Sequence, residues 1–193
     1  MLPFSERTDL SSTEKAILAG YQDIGNPQHI WDHDIPTNER HHDCYIVNKS
    51  LRFSDFRGSL SYHDLKQVFF ITKQIDAAIE RSTVPKAYAL FKGLEDASWI
   101  LQRQVGETYE DRAYGSYSLI LTKAKEYTKD NSGLRVFIYR IISKGEHALY
   151  MGSKEEELLL PRNKKHEILQ INDYEPGEFL DDLKARVYYV REN

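Results

Sequence analysis

Apolar residues near the start of the chain recur at the spacing of one helix face. Ser11 and Glu14 form an S-x-x-E capping pattern directly before KAILAGY, which predicts a helix that runs to about Tyr21. A second short helix is predicted from about Glu39, because three apolar residues keep helical spacing there: Cys44, Val47 and Leu51.

The longest helical pattern begins at Ser61, in SYHDLKQVFFITKQIDAAIERS. Its apolar residues fall on one stripe, as in a helix that packs a single face against a core. The stripe consists of Leu65, Val68, Phe69, Ile75, Ala78 and Ile79. We therefore predict a long amphipathic helix over this segment.

The chain changes character after Pro85, where segments rich in β-branched, aromatic and aliphatic residues alternate with Gly, Pro and Asn. The predicted strands are AYALFKGL, RAYGSYSLIL, LRVFIYRIIS, HALYMG, EELLLP, HEILQI and KARVYYVR. DASWILQR and TKAKEYTK predict short helices between them. Helices mostly in the N-terminal half, followed by strands without long helices between them, indicate an α+β fold rather than a doubly wound α/β sheet.

Length and charge limit the domain organisation and the functional classes that this chain can have. The 193 residues suffice for one domain with a substantial core, and no Pro/Gly/Ser-rich stretch divides them. The formal net charge is -4 and Lys and Arg are thinly spread, so we expect no nucleic-acid partner, which would require clustered cations. A single cysteine, Cys44, excludes an internal disulfide and fits a reducing compartment.

The cellular location is predicted from two further features. MLPFSERTD, at the start, has neither the basic nor the apolar region of a secretory signal peptide. No apolar run approaches the length that spans a bilayer, so we expect no membrane partner. We expect a soluble protein that acts in the cytoplasm or is delivered into a host cell by other machinery.

A block of like charge, Glu155 to Glu157, stands directly before the apolar residues Leu158 to Leu160. One interpretation is a solvated turn that leads into a core strand. If the block is itself extended, Glu155 and Glu157 face one side, about 6.6 Å apart at the Cα atoms, and Glu156 faces the other. Such a carboxylate pair can stabilise a cation with one group while the other accepts a proton or orients a nucleophile.

Three segments of the chain follow one another in a characteristic order: AYALFKG (87–93), AYGSYSL (113–119) and SKEEELLLPR (153–162). Their order resembles the arginine, S-x-S and E-x-E signature of mono-ADP-ribosyltransferases of the bacterial toxin type, especially the actin-modifying and related branch. YIVNKSLR (45–52) resembles the I-N-x-x-L-R helix of that family, and IYRIISKGEHALYMG (138–152) resembles the strand, K-G turn and strand before its catalytic glutamate.

The resemblance extends over residues 45–172, about two-thirds of the chain. It implies a single domain over residues 1–193, with a helical N-terminal part (1–44) and a final strand (173–193). The implied architecture is a pair of packed, mainly antiparallel sheets that form a cleft for NAD. The implied activity is transfer of ADP-ribose from NAD to an unidentified protein acceptor, with release of nicotinamide.

The resemblance assigns roles to the acidic and serine residues. Glu157 matches the catalytic glutamate, which binds the 2′-hydroxyl of the nicotinamide ribose and stabilises the cation. Glu155 matches the first glutamate of E-x-E, which orients an incoming guanidinium, so arginine is the expected acceptor. Ser116 and Ser118 match the S-x-S element that supports the catalytic glutamate and the NAD cleft. Tyr117 stands where the family commonly has threonine, and on a strand it points away from both serines.

Lys92 departs from the family pattern, in which an arginine at this point binds a phosphate of NAD. Lysine keeps the charge but lacks the planar, bidentate guanidinium. Gly93 fits the R-G turn of the family, and Arg52 matches the helix arginine near the dinucleotide, with a solvated helix end as the alternative. Tyr150 and Met151 lie where the family has its target-recognition loop, or else they close the core.

Several alternatives stay open at this stage. Because of Lys92, the chain is either a weakened transferase or an inactive, transferase-like binding module, and a free NAD glycohydrolase is a third possibility. Histidines close to Asp43 and Cys44 allow a metal site, but the breaks at Pro27 and Pro36 favour a polar face, and no metal is expected. The histidines concerned are His29, His33, His41 and His42. Cys44 lies on an apolar stripe, where a thiol is inert.

Overall fold

The computed structural model describes residues 10–22, 29–33, 42–128, 133–152, 156–180 and 183–193, and all structural statements below refer to these residues. Their helices are α1 (Ser12–Gln22), α2 (His42–Arg52), α3 (Ser54–Ser59), α4 (Tyr62–Glu80), α5 (Ser98–Leu101) and α6 (Leu121–Glu126). Their strands are β1 (Tyr88–Gly93), β2 (Thr108–Asp111), β3 (Gly115–Ser118), β4 (Leu134–Ile142), β5 (Leu149–Tyr150), β6 (Glu157–Leu160), β7 (Lys164–Tyr174) and β8 (Lys184–Glu192).

Two helices begin where the capping patterns predict. At α1, the Glu14 amide donates to Ser11 Oγ at 3.2 Å, and the Ser11 amide donates back to the Glu14 carboxylate at 2.9 Å. At α4, the Asp64 amide donates to Ser61 Oγ at 3.0 Å. These bonds satisfy amides that the first turn of a helix leaves without partners.

The buried face of α4 differs from the predicted stripe at one residue. Val68, Ile75 and Ile79 are buried as expected. Phe69, in contrast, is 70% exposed, and its place on the buried face is taken by Ile71 and Thr72. Phe69 follows Val68 directly, about 100° further round the helix, so the prediction for it was wrong.

The strands form one hydrogen-bonded series in the order β2-β7-β8-β4-β1-β3-β6-β5. β4 and β8 run parallel, and the other neighbouring pairs are antiparallel. The predicted α+β class with a mainly antiparallel sheet is confirmed. One continuous sheet stands where two packed sheets were expected. Its larger part, β2-β7-β8-β4-β1, and its smaller part, β3-β6-β5, are joined where Phe91 of β1 faces Ser118 of β3.

Strand β6 explains why three leucines follow the glutamates. Leu158 and Leu160 point into a core shared with Leu90 of β1 and Tyr188 of β8, between the two parts of the sheet. Leu159 points to the opposite side, into the core formed with α1, α2 and α4. The strand is therefore covered on both faces, which removes the period-two alternation of a half-exposed strand.

A third apolar cluster covers the other face of the larger part of the sheet. It contains Phe137, Val187 and Leu180, with Ala124 of α6 at its edge. None of the described helices has the length and apolar character needed to cross a bilayer.

Candidate active site

A cleft of about 720 Å³ lies between the N-terminal helices and the sheet. Its lining brings together segments that are far apart in sequence: the end of α1, one side of α2, the end of β1, and the starts of β3 and β6. Five of the site residues predicted from the sequence line it directly: Arg52, Lys92, Gly93, Ser116 and Glu157. Cavities of this size accommodate cofactor-sized ligands.

Glu157 is the first residue of β6 and is only 8% exposed. It shares a strand face with Leu159, which packs against the helices, and so its carboxylate points into the cleft. Ser116 Oγ donates a hydrogen bond to Glu157 Oε1, and Gln22 Nε2 donates to Oε2 at 3.3 Å. The carboxylate is thus oriented from both sides.

The other members of the S-x-S element have different surroundings. Ser118 faces Glu157 in the strand register, but its hydroxyl accepts a hydrogen bond from the Ile120 amide at 3.1 Å. It is not among the described residues that line the cleft. Tyr117 is 3% exposed and lies in the core between the two parts of the sheet, as its alternation with the serines predicts.

The basic wall of the cleft consists of Lys92 and Arg52. Both bind the carboxylate of Asp111, the last residue of β2: Lys92 Nζ lies 2.9 Å from Oδ2, and Arg52 Nη2 lies 3.3 Å from Oδ1. Burial of Asp111 favours its neutral form, but the two cations outweigh this effect and hold the pKa of the carboxyl below its ordinary value. The three side chains therefore form a charged cluster at neutral pH.

Gly93 lets α6 approach the end of β1. A Cβ atom at this position would lie 2.0 Å from the Ala124 carbonyl oxygen and 2.8 Å from Thr128 Cγ2. The first distance is to backbone, which cannot move aside cheaply. A residue with a side chain is therefore excluded here unless α6 shifts away from the cleft.

We expect Gly93→Ala to lower the free energy of unfolding by about 2 to 3 kcal/mol, the usual cost of forcing extra volume into a packed site. Denaturant unfolding followed by circular dichroism measures this. Gly58→Ala in α3 is the matched control, since its Cβ would meet no atom within 4 Å, and it should be neutral or stabilising. Equal stability of the two variants would contradict the close packing at Gly93.

The described part of the glutamate block contains a turn. Glu156 has a positive φ of 48° and the strand begins at Glu157, so Glu156 fits the turn interpretation rather than the extended one. Glu156 accepts a hydrogen bond from Tyr150 Oη at 2.9 Å, which ties it to β5. Glu155 lies outside the described residues. Met151 packs against the helical core rather than standing free.

Two of the histidines near α2, His29 and His33, are engaged in a hydrogen bond and a ring contact. Asp43 is 1% exposed and binds His29 Nδ1 at 3.0 Å and Trp31 Nε1 at 2.9 Å. His33 stacks edge-on against Phe56. Burial, followed by the charges of Glu157 and Asp43, raises the pKa of the Cys44 thiol to about 12, so this thiol is not a nucleophile at neutral pH. His41 lies outside the described residues.

Another side-chain cluster has the composition of a cation site. Asp32, His63 and Asp64 bring ligand atoms within 4.8 Å of one another. These groups already bind each other and their neighbours: Ser61 Oγ donates to Asp32 at 2.7 Å, and the Asp32 amide donates to Asp64 at 2.8 Å. The cluster contains no residue of the cleft lining, and it fixes the segment 29–33 to the start of α4.

Solved structures that are similar to this chain include ADP-ribosyltransferases. Plx2a, a toxin from Paenibacillus larvae, matches with a TM-score of 0.67 and 17% identity, over 96% of this chain and 88% of its own. Vis from Vibrio splendidus, in its complex with agmatine, matches with a TM-score of 0.63 and 18% identity, over 98% and 79%. The C3 exoenzyme of Clostridium limosum matches with a TM-score of 0.63 and 17% identity, over 95% and 87%.

The chain has the fold of the bacterial ADP-ribosyltransferase toxins. The resemblance read from the three sequence segments is confirmed at this level. No protein-family model and no curated protein sequence matches the chain. At identities below 20%, the likeness establishes the fold, and the chemistry has to be argued from the residues of the cleft.

Two residues that contact the predicted site were not found from the sequence. Gln22 reaches Glu157 from the last turn of α1, and Asp111 joins the two cations from β2. Neither stands in a recognisable motif, and both contacts link residues that are distant along the chain. Only the packing of α1 and β2 against the rest of the domain reveals them.

Proposed function

We propose that the chain is an NAD-dependent mono-ADP-ribosyltransferase that modifies a protein side chain. The observation that supports this most strongly is the position of Glu157, whose carboxylate is buried, held by Ser116 and directed into the cleft. Lys92 and Arg52 stand on the wall of the same cleft and offer positive charge to a pyrophosphate. The chain shares its fold with ADP-ribosyltransferases, which supports NAD as the ligand of this cleft.

The chemistry required of Glu157 follows from the bond that is broken. Loss of nicotinamide from NAD leaves positive charge on the ribose, in a cation of the oxocarbenium type. A fixed carboxylate beside the sugar stabilises that charge without reorganisation of solvent. The acceptor nitrogen then attacks the anomeric carbon and loses a proton, so that ADP-ribose is transferred and nicotinamide leaves.

Polar side chains on the cleft lining suit a hydrogen-bonding ligand. Gln22, Asn48 and Ser116 line the cleft and carry amide or hydroxyl groups. The ribose hydroxyls and the carboxamide of NAD can exchange hydrogen bonds with such groups. No metal is needed for this scheme.

Arginine is the proposed acceptor. A guanidinium requires a carboxylate close to the anomeric carbon, and Glu155, two residues before Glu157, is the proposed partner. The structure of Vis in complex with agmatine supports this choice, since agmatine ends in a guanidinium group. We expect Glu155→Gln to keep hydrolysis of NAD while losing transfer to agmatine.

Lys92 motivates the rival proposal of an inactive, NAD-binding or partner-binding module, with a free NAD glycohydrolase as a third possibility. The chain is incubated with NAD labelled in the adenylate part and with a bacterial or host-cell lysate, and labelled protein and free nicotinamide are measured. Label on protein that is lost in Glu157→Gln supports the transferase. Nicotinamide without labelled protein supports the glycohydrolase, and neither product, in the native chain and in Lys92→Arg, supports the module.

A further inference from the structure

Asp111 occupies an unusual place beside the cleft. It is 14% exposed, and its two oxygens bind different cations, with Lys92 at 2.9 Å and Arg52 at 3.3 Å. Lys92 and Arg52 line the cleft, while Asp111 does not belong to its described lining. Asp111 thus binds both cations from outside the cleft lining, to which Lys92 and Arg52 belong.

Lys92 is confined from a second direction. Its Nζ lies 5.4 Å from the centre of the Tyr117 ring, within the range of a cation–π contact. Tyr117 is 3% exposed and fixed in the core, so its ring cannot follow a moving ammonium group. A lysine is ordinarily a mobile point charge on a flexible stem. Here the carboxylate and the ring together give its ammonium group one position.

This confinement matters because Lys92 stands where the family pattern has an arginine. An arginine would offer a rigid, planar group with several donors. The lysine has no such rigidity of its own, but Asp111 and Tyr117 supply it from outside. Arg52, which is 40% exposed at its side chain, is drawn to the same wall by the other oxygen of Asp111.

We propose that Asp111 is a positioning residue that fixes Lys92 and Arg52 as a paired cation site for the pyrophosphate of NAD. The proposal rests on the proposed function for the identity of the nucleotide. The opposite effect, in which Asp111 only neutralises the cations and weakens anion binding, predicts tighter binding once the carboxylate is removed. The sign of the change in affinity when the Asp111 carboxylate is removed therefore distinguishes the two effects.

The test is a double-mutant cycle on Lys92 and Asp111, with affinities for NAD and for inorganic pyrophosphate measured by calorimetry. Asp111→Asn should weaken both ligands by about tenfold, the order seen when the orienting partner of a binding group is removed. In a Lys92→Met background the same change should have a smaller effect, because one of the two groups that it positions is gone. A purely structural role for Asp111 predicts equal losses in both backgrounds.

Glu110→Gln is the matched control, since Glu110 precedes Asp111 on β2 and pairs with Arg112 at the surface at 3.1 Å. It should leave both affinities unchanged. Should Asp111→Asn not fold, Asp111→Glu replaces it in the cycle, because its longer stem displaces the carboxylate from the cations, and the same weakening is expected. Unchanged or tighter binding of pyrophosphate in either variant overturns the positioning role.

The outcomes also separate this inference from the proposed function. Pyrophosphate binding that depends on Asp111, in a chain that releases no nicotinamide from NAD, keeps the cation site and rejects the transferase. Turnover of NAD that is insensitive to Asp111→Asn keeps the transferase and rejects the positioning role. A native chain that binds neither ligand rejects both.

Discussion

Glu157→Gln is expected to lower the rate of nicotinamide release from NAD by at least about a hundredfold, as when a group that stabilises transition-state charge is removed. The amide has the shape of the carboxylate but carries no charge to offset the positive ribose. Because the side chain is replaced by an isostere, the fold and the affinity for NAD should change little. Single-turnover measurement of nicotinamide, together with the midpoint of thermal unfolding, tests both expectations.

The neighbouring Glu156→Gln is the control for this experiment. Glu156 carries the same charge next to Glu157, but its carboxylate binds Tyr150 rather than the cleft serine. It should retain activity close to that of the native chain. Comparable losses in the two variants would mean that the net charge of the turn, rather than the placement of one carboxylate, governs the rate.

Arg140→Ala should cost about 3 to 5 kcal/mol of stability, the range for breaking a buried ion pair. Arg140 is 1% exposed and lies between two carboxylates, with Glu146 at 2.8 Å and Glu192 at 3.0 Å. Its removal leaves these carboxylates without their shared cation inside the sheet. Denaturant unfolding measures the loss, and Arg191→Ala, which removes a 62% exposed partner of Glu167, should cost less than about 1 kcal/mol.

The same ion pairs make stability depend on pH. Burial favours the neutral form of Glu192, but its hydrogen bonds and charge contacts with Lys164 and Arg140 hold its pKa below the ordinary value. A depressed folded-state pKa contributes stability above the unfolded pKa, and this contribution is lost as the pH falls through the folded value. Arg140→Ala should therefore lose less stability on acidification than the native chain. A steeper acid dependence in the variant would contradict the role of Arg140.

The helices and most strands were predictable because their signals are local. The side chains of Ser11 and Ser61 cap helices by accepting from backbone amides three residues further on, and strands β1, β4 and β8 are rich in apolar and aromatic residues. β2 was missed because TYED has four residues, two of them acidic, and is held in place by pairing with β7. Short α3, without a buried residue, carries no apolar pattern to detect.

The motif residues of the site were predictable from the sequence, but the residues that orient them were not. The order of the three segments placed Lys92, Ser116 and Glu157 in one cleft, and the structure brings them together. The partners that orient these groups, Gln22 and Asp111, come from elements whose approach is decided by tertiary packing. A pattern of residue types cannot encode such contacts, because many glutamines and aspartates are simply solvated.

The conformation of the glutamate turn was the feature least predictable from the sequence. Like charges next to an apolar run fit an extended strand as well as a turn, and the sequence favoured neither. The positive φ of Glu156 depends on its bond to Tyr150 and on the Leu119 amide, which donates to the Glu156 carbonyl at 2.9 Å. These tertiary contacts stabilise a backbone conformation that a glutamate seldom adopts by itself.

A crystal structure of Glu157→Gln with NAD tests the central claim most directly, since we expect the variant to bind the dinucleotide and to consume it far more slowly than the native chain. We expect the nicotinamide ribose within hydrogen-bond distance of residue 157 and the pyrophosphate against Lys92 and Arg52. NAD bound elsewhere on the chain, or a cleft that remains empty at saturating NAD, would contradict the account.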